Sequence, residues 1–439
     1  MIEVASMAGR NGAVLPEEDH SRQSRRAAVG SVVGSAIEWY DFILYSIAAG
    51  LVFPKVFFPE SDPFTALINS YGIFAVGFLA RPAGAIIFGH LGDRLGRKGT
   101  LVGTLILMGI GTFSVAFVPG HETIGAWGAV ILVILRFVQG VGVGGEWAGA
   151  VLVSLEWSKP RSRGLSASWP QIGVPLGLVL ANLVFALASY QSGDSFLDRG
   201  WRLPFLLSGG LVLIGLYLRF ALDETPVFRK MEEEKRIEKA PVVQAVRKTW
   251  RKILTVSFLR MAEMSMFQIM TVFVYTYCTQ VLGFERSFVL VAVMTAAILQ
   301  AISIPVFGAM SDRVGRKRIF RAGALAALLF GFVYFTVLGT GHPSAVFVVI
   351  ALSLVPHAMM YGSEAALVTE NFSSELRYSG SSLGYQLASL IGGGPTPFIT
   401  ASLFHFDQSG YAIAAYLGAT CLVSLAALSF LRETRGSAD

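Results

Sequence analysis

The chain has 439 residues, 54% of them hydrophobic and only 15% charged, with a mean hydropathy of +0.60. So few charges cannot cover that much apolar surface in water, which excludes a water-soluble globule and places the chain in lipid. The net charge of +6 is dispersed among short loops, which excludes a nucleic-acid surface, and the two cysteines, Cys278 and Cys421, lie in apolar runs, which excludes a disulfide framework or a cysteine metal cluster.

A hydrocarbon slab about 30 Å thick needs roughly 20 apolar residues per helix. The first 26 residues are polar and lack an apolar core, so no cleavable signal peptide is expected. Twelve long apolar runs follow. Predicted helix 1 (28–53) carries Glu38, Asp41 and Tyr45 at i, i+3 and i+7, on one face. Helix 2 (66–91) carries Arg81 and runs into GHLGDRLGRK at 89–98. Helix 3 (99–118) is followed by helix 4 (125–155), with Arg136, Gln139 and Glu146 in a narrow arc. Helix 5 (164–189) is broken by Trp169-Pro170-Gln171-Ile172-Gly173-Val174-Pro175, and helix 6 (202–222) closes the first half. The charged stretch 223–252, with MEEEKRIEKA, reads as the linker between domains. Helix 7 (253–281) has Arg260 and Glu263 within pairing reach, and Gln268. Helix 8 (286–309) leads into GAMSDRVGRK at 308–317, and helix 9 is 319–340. Helix 10 (344–369) spaces His357, Tyr361 and Glu364 as helix 1 spaces its trio. Helix 11 (378–403) carries Tyr385 and Gln386 and is broken by Gly392-Gly393-Gly394-Pro395-Thr396-Pro397; helix 12 is 410–431.

The two decapeptides match at six of ten positions and stand 219 residues apart, half the chain. A repeat at half-length in a membrane chain is the architecture of secondary transporters. The expected fold is all-α: twelve transmembrane helices in two pseudo-symmetric six-helix bundles, 28–222 and 253–431, with polar tails at 1–27 and 432–439. With both ends on one side, that side holds 28 of the 35 Lys and Arg. Positive charge stays cytoplasmic, so both termini are expected in the cytoplasm of a multi-pass protein of the cell membrane.

GHLGDRLGRK and its second copy resemble the loop motif of the major facilitator superfamily, and Arg136-Phe-Val-Gln139-Gly140 resembles that superfamily's second motif. Ile37-Glu38-Trp39-Tyr40-Asp41-Phe42, Arg81-Pro82-Ala83-Gly84, Gly144-Gly145-Glu146, Asp223-Glu224-Thr225-Pro226 and Arg377-Tyr378-Ser379-Gly380 are similar to the metabolite:proton symporter family. Together these cover about residues 26–435. The resemblance implies uptake of shikimate, α-ketoglutarate, another dicarboxylate, proline or betaine. Gln171 and Arg432-Glu433-Thr434-Arg435-Gly436 are similar to sugar porters, but helix 7 lacks that branch's paired glutamines, which argues against a sugar.

An ionisable residue within a span needs a partner or a water-filled cavity. Glu38, Asp41 and Glu263 are therefore the expected proton-coupling residues; two carboxylates one turn apart repel unless one is protonated or cation-paired. Arg81 and Arg136 offer planar forks that match a carboxylate. Protonation of Asp41 is expected to free Arg81 for the substrate. Tyr45, Gln171, Arg260, Gln268, His357, Tyr361, Tyr385 and Gln386 complete the expected substrate-binding set around a central cavity. Each has a plainer reading: Arg260–Glu263 as a structural ion pair, His357 as a neutral core histidine, the aromatics as packing, and Glu146 as bonded to a neighbouring helix. The two loops supply an expected cytoplasmic gate: Gly89, Asp93, Arg94, Arg97, Asp312 and Arg313, with Asp93 meeting the start of helix 11 near Arg377 and Asp312 the start of helix 5 near Arg163.

No nucleotide motif, clustered metal ligands or nucleophile–base pair is present in the sequence. The expected activity is therefore proton-coupled uptake of a small organic acid by alternating access. The expectation includes protons as the coupling ion, no cofactor, no metal, no nucleotide, no nucleic acid and no catalysis, with the bilayer and a small organic anion as partners and the monomer as the working unit. A carrier of a zwitterionic osmolyte such as proline or betaine, or a gradient-independent facilitator, remains the alternative.

Overall fold

The computed structural model describes residues 17–407 and 410–435; the outer parts of the expected tails, 1–16 and 436–439, lie outside the described residues. Twelve helical runs are long and apolar enough to cross a membrane. They are α1 (Ser21–Leu51), α2 (Pro63–Arg94), α3 (Arg97–Val115), α4 (Trp127–Glu156), α5 (Pro160–Phe196), α6 (Arg202–Phe220), α7 (Pro241–Val281), α8 (Arg286–Val314), α9 (Arg316–Leu338), α10 (Pro343–Glu370), α11 (Arg377–Phe406) and α12 (Tyr411–Phe430). No strand occurs among the described residues. In lipid every backbone group must bond within its own segment, and the helix alone does this without a closed barrel.

Two boundaries differ from the expected ones. The helix containing α1 begins at Glu17, inside the expected tail. The helix that opens α7 begins at Pro241, so the second half of the expected linker is helical. Charge set those boundaries in the sequence, yet a helix can continue past the apolar slab when its polar turns face water. The remaining linker forms a short helix, Pro226–Glu233, which buries Phe228 and Met231. Its cap is local: Thr225 Oγ accepts from Phe228 N at 3.3 Å. At the start of α2, Asp62 accepts from the amides of Phe64 and Thr65, both at 3.1 Å, and Pro63 occupies the first turn. The Thr65 hydrogen bonds hold that carboxyl below the usual carboxylate range.

The proline and glycine breaks become irregular turns. Helix α5 passes through 3₁₀ turns at Pro160–Ser162 and Pro170–Ile172, and α11 through a π turn at Ser389–Gly393. Helix α7 has two π turns, Ile269–Phe273 and Tyr277–Val281, that no proline or glycine announces.

Within the first bundle α2 and α4 approach so closely that a Cβ at Gly84 would run into the Val141 carbonyl, and one at Gly144 into the Gly84 backbone. The bundles meet along α2/α11, α5/α8, α5/α10, α4/α11, α2/α7 and α4/α10. The residues that connect these pairs form the site.

Candidate functional site

The two decapeptide loops lie on one face of the molecule, termed the motif face. Each loop turns at a glycine in the left-handed region, Gly96 (φ 107°) and Gly315 (φ 117°). Asp93 accepts hydrogen bonds from the amides of Tyr378 (3.2 Å) and Ser379 (2.8 Å), the first turn of α11. Asp312 accepts from the amides of Gly164 (2.8 Å) and Leu165 (2.9 Å), early in α5. Each acid thus crosses the seam to a helix N-terminus, where free amides and the helix dipole stabilise a negative charge. Gly89 permits the approach: a Cβ there would stand 3.1 Å from Ser379 Cα. Tyr378 Oη donates to the Gly145 carbonyl at 2.7 Å, and an Arg97 nitrogen donates to the Ser374 carbonyl at 3.2 Å. The motif face is closed.

The arginines divide differently from the sequence expectation. Arg97 is buried between Asp93 (3.5 Å) and Glu156 (3.5 Å). Its counterpart Arg316, absent from the expected gate, pairs with Asp312 (2.8 Å) and Glu370 (2.9 Å). Arg94 and Arg313 are exposed and ion-paired to nothing among the described residues, so they do not bind the gate. Glu224 accepts from the amides of Arg97 (3.1 Å) and Lys98 (3.2 Å), and Glu433 from those of Arg316 (3.0 Å) and Lys317 (3.1 Å). Each half therefore anchors the helix after its motif with a glutamate from the end of its sixth helix. Arg377 and Arg163 stand at the two helix starts, but the acids meet the amides that follow them. Arg377 turns instead to the Phe372 carbonyl, at 3.2 Å.

Deeper in the first bundle, Asp41 accepts from Thr112 Oγ on α3 at 2.8 Å. Gln139 donates to the same Oγ at 2.7 Å, and Arg136 donates to Gln139. Arg136 is covered by aromatic faces, 4.3 Å from the Tyr45 ring centre and 4.6 Å from that of Phe74. The expected coupling of Asp41 to Arg81 is therefore corrected: the chain of contacts from Asp41 leads through Thr112 and Gln139 to Arg136. The shared face of Glu38, Asp41 and Tyr45 points into the first bundle. Tyr45 belongs to an aromatic cluster with Phe53, Phe74 and Phe205, where its ring shields Arg136.

Arg81 is 5% exposed and has neither a hydrogen-bond nor an ion-pair partner among the described residues. It lies over the rings of Phe42 (4.8 Å) and Phe78 (4.7 Å). Its charged and polar neighbours are Glu38 on one side and Tyr385, Arg260 and Tyr361 of the second bundle on the other. A buried guanidinium with five donors and no acceptor is an anion receptor in form.

In the second bundle Arg260 is held between two carboxylates, bonding Glu364 and pairing with Glu263 at 3.0 Å. Its guanidinium lies 3.4 Å from the Tyr385 ring centre. His357 sits with Nε2 3.4 Å from Glu263 and Nδ1 2.7 Å from Gln300. The Tyr361 and Tyr385 hydroxyls are 3.4 Å apart, and Tyr385 stacks on Trp147 of the first bundle at 3.9 Å. Three amides bridge neighbouring backbones: Gln171 to the Tyr361 carbonyl (3.2 Å) and Gln386 to the Gly144 carbonyl (3.3 Å), both across the seam, and Gln268 to the Gly393 carbonyl (3.3 Å) within the second bundle. Trp39 and Phe267 complete the seam, with ring centres 5.7 Å apart.

A Major Facilitator Superfamily profile matches residues 61–397 and 291–438. The inner membrane metabolite transport protein YhjE of Escherichia coli (strain K12) is 40% identical over 419 residues, 93% of this chain and 94% of that protein. The chain belongs to the Major Facilitator Superfamily. The shikimate transporter of the same organism is 38% identical over 94% of this chain and 95% of its own length, and its proline/betaine transporter 32% over 93% and 84%. The fold matches the proton:xylose symporter XylE bound to 6-bromo-6-deoxy-D-glucose with a TM-score of 0.75 at 19% identity, covering 95% of this chain and 98% of the other. The protein is a multi-pass membrane transporter of metabolites and not an enzyme.

Several polar contacts of this superfamily member escaped the sequence reading. Arg219 looks like the end of a hydrophobic run, yet it is 2% exposed and bonds both oxygens of Glu146. Glu146 also accepts from Thr104, so the pair is structural, and Arg219 joins Arg81, Arg136 and Arg260 as a buried arginine within the spans. Thr112, Gln300 and Trp147 are single polar or amphipathic residues in apolar runs, and only their neighbours give them a role. Glu156 and Glu370 had a signal: each ends the fourth helix of its half.

Proposed function

We propose that the transporter imports a small organic acid together with protons, with Arg81 as the carboxylate receptor and Asp41 as the principal proton carrier. The observation that carries this reading is the unpaired guanidinium of Arg81. It is buried at the seam, flanked by two phenyl rings, and faces tyrosines of the opposite bundle. A desolvated arginine strengthens any charge-assisted bond to an incoming carboxylate. Tyr361, Tyr385 and Gln171 offer neutral donors and acceptors to the remainder of the substrate, and the Trp147–Tyr385 stack a flat apolar wall.

The coupling route runs along one hydrogen-bonded chain. With Asp41 ionised, Thr112 and Gln139 tie it to Arg136. A proton on Asp41 removes the charge that opposes Arg136 and loosens α1 from α3 and α4. The second bundle carries a similar imbalance: Arg260 faces two carboxylates, so the cluster holds one excess negative charge unless a proton is bound on Glu263, Glu364 or His357. In this reading the motif face is cytoplasmic, by the distribution of Lys and Arg, and its closure belongs to the state that loads from outside.

The zwitterion reading has one observation behind it. Glu38 stands beside Arg81, whose guanidinium lies over Phe42 and Phe78, and an acid–base pair beside aromatic rings suits a quaternary ammonium joined to a carboxylate. The test is a substrate screen in proteoliposomes with an imposed pH gradient. Accumulation of a shikimate-like or dicarboxylic acid, lost when the gradient collapses, is expected. Accumulation of betaine or proline would replace the organic acid, and gradient-independent uptake would remove the proton.

A further inference from the structure

A cleft of about 660 Å³ opens on the motif face where the linker, α5, α7 and the loops after α10 and α12 converge. Six cations line it, among them Lys252, Arg377 and Arg432, against four carboxylates. All four carboxylates are engaged. Glu375 bonds Arg236, Glu234 pairs with Lys230 (3.8 Å) and Arg236 (3.2 Å), Glu370 binds Arg316, and Glu433 caps the first turn of α9. Lys252, Arg377 and Arg432 have no ion pair among the described residues. Lys252 spends one proton on the Asn371 carbonyl (2.9 Å), and Arg377 spends its Nε on the Phe372 carbonyl (3.2 Å). The cleft therefore carries a surplus of donors and of positive charge.

The internal repeat sharpens the point. In the first half Thr225, after α6, donates to Glu156 at 2.5 Å, and Phe228 lies over Arg97 at 5.1 Å. In the second half the matching Thr434, after α12, lines the cleft at 5% exposure, and its hydroxyl has no hydrogen-bond partner. A buried hydroxyl without a partner is costly unless something else supplies one. Arg163 of the first bundle and Arg377 of the second both line this cleft, so it spans the seam between the bundles.

We propose that this cleft binds a phosphate-type anion, and that the bound anion holds the motif face shut. Tetrahedral oxyanions carry enough acceptors for two guanidinium forks, an ammonium and a hydroxyl at once. The anion sits in a cleft lined by Arg163 and Arg377, which belong to bundles that must part when this face opens. Occupancy therefore favours the closed gate and slows transport. The site itself stands on its own geometry, and only the slowing rests on the transport reading above.

Inorganic pyrophosphate is the probe. Purified full-length protein in nanodiscs of phosphatidylcholine should show a saturable rise in Tm with pyrophosphate, and none with chloride at equal ionic strength. Lys252→Gln with Arg432→Gln removes two rim charges on exposed positions and should weaken binding about tenfold or more. No saturable rise, or an equal rise in the double variant, overturns the site. Loss of the pyrophosphate response in phosphatidylglycerol nanodiscs, with recovery in phosphatidylcholine, supports the site and assigns it to a lipid headgroup. Pyrophosphate on the motif-face side of proteoliposomes should slow uptake by the wild type and not by the double variant. Binding without slowing overturns the gating role. Binding with no transport of any organic solute under any gradient counts against the proposed function and leaves the site standing.

Discussion

Among single residues, the sharpest contrast is between Arg81 and Arg219. Both are buried arginines of the first bundle, but Arg219 bonds Glu146 and Arg81 bonds nothing. Arg219→Gln leaves a buried carboxylate without its cation and should cost about 3–5 kcal/mol of stability, read as a lowered Tm. Arg81→Lys removes no native bond, so Tm should hold while substrate affinity falls about tenfold or more, because an ammonium lacks the planar fork. Equal Tm loss in the two variants would mean that Arg81 is structural. Asp41→Asn keeps the Thr112 hydrogen bond and stands in for the protonated acid. It should still exchange substrate across the membrane while losing accumulation driven by a pH gradient; retained accumulation would move the coupling proton to the Arg260–Glu263–Glu364 cluster. The choice between these roles was not legible in the sequence. Arg81, Arg136, Asp41 and Glu263 all stood out as charges in lipid, but only contacts separate a paired charge from a free one.

Among the elements, the irregular turns of α5 and α11 lie where the bundles meet, while those of α7 pack within the second bundle. The breaks in α5 and α11 were readable because proline removes a donor and glycine a side chain, in matching places of the two halves. The π turns of α7 were not readable, since Ile269–Phe273 and Tyr277–Val281 contain neither residue. They pack against α11 and α8. The α2/α4 contact depends on Gly84 and Gly144 meeting backbone to backbone. Gly144→Val should force these helices apart and lower Tm, whereas Gly99→Ala, where a Cβ meets open space, should change it little. Similar losses in both would mean that helix propensity, and not packing, sets the cost.

For the whole molecule, the closed motif face is the central fact. Asp93 and Asp312 each bind two amides at a helix start of the opposite bundle, so together they hold the bundles at two symmetry-related points. Replacing both by Asn leaves hydrogen-bonding atoms but removes the charge that the helix dipoles favour. The double variant should shift toward a state open on the motif face, read as a longer spin-label distance between the 2–3 and 10–11 loops. An unchanged distance distribution would show that the seam packing around Tyr378, Gln386 and Trp147 closes the face without them.

Twelve helices, two halves and a shared face for both repeats followed from sequence alone, because lipid dictates helix length and the loop motif recurs at half the chain. The candidate charges followed as well, since each is conspicuous in an apolar run. Pairing did not follow. Asp41 reaches Arg136 through Thr112 and Gln139 on two other helices, and Arg316, not Arg313, answers Asp312 at the gate. Periodicity reports which side of its own helix a residue occupies. Which helix lies against that side is fixed by how twelve of them pack, and that packing decided that Arg136, Arg219 and Arg260 have acceptors and that Arg81 has none among the described residues.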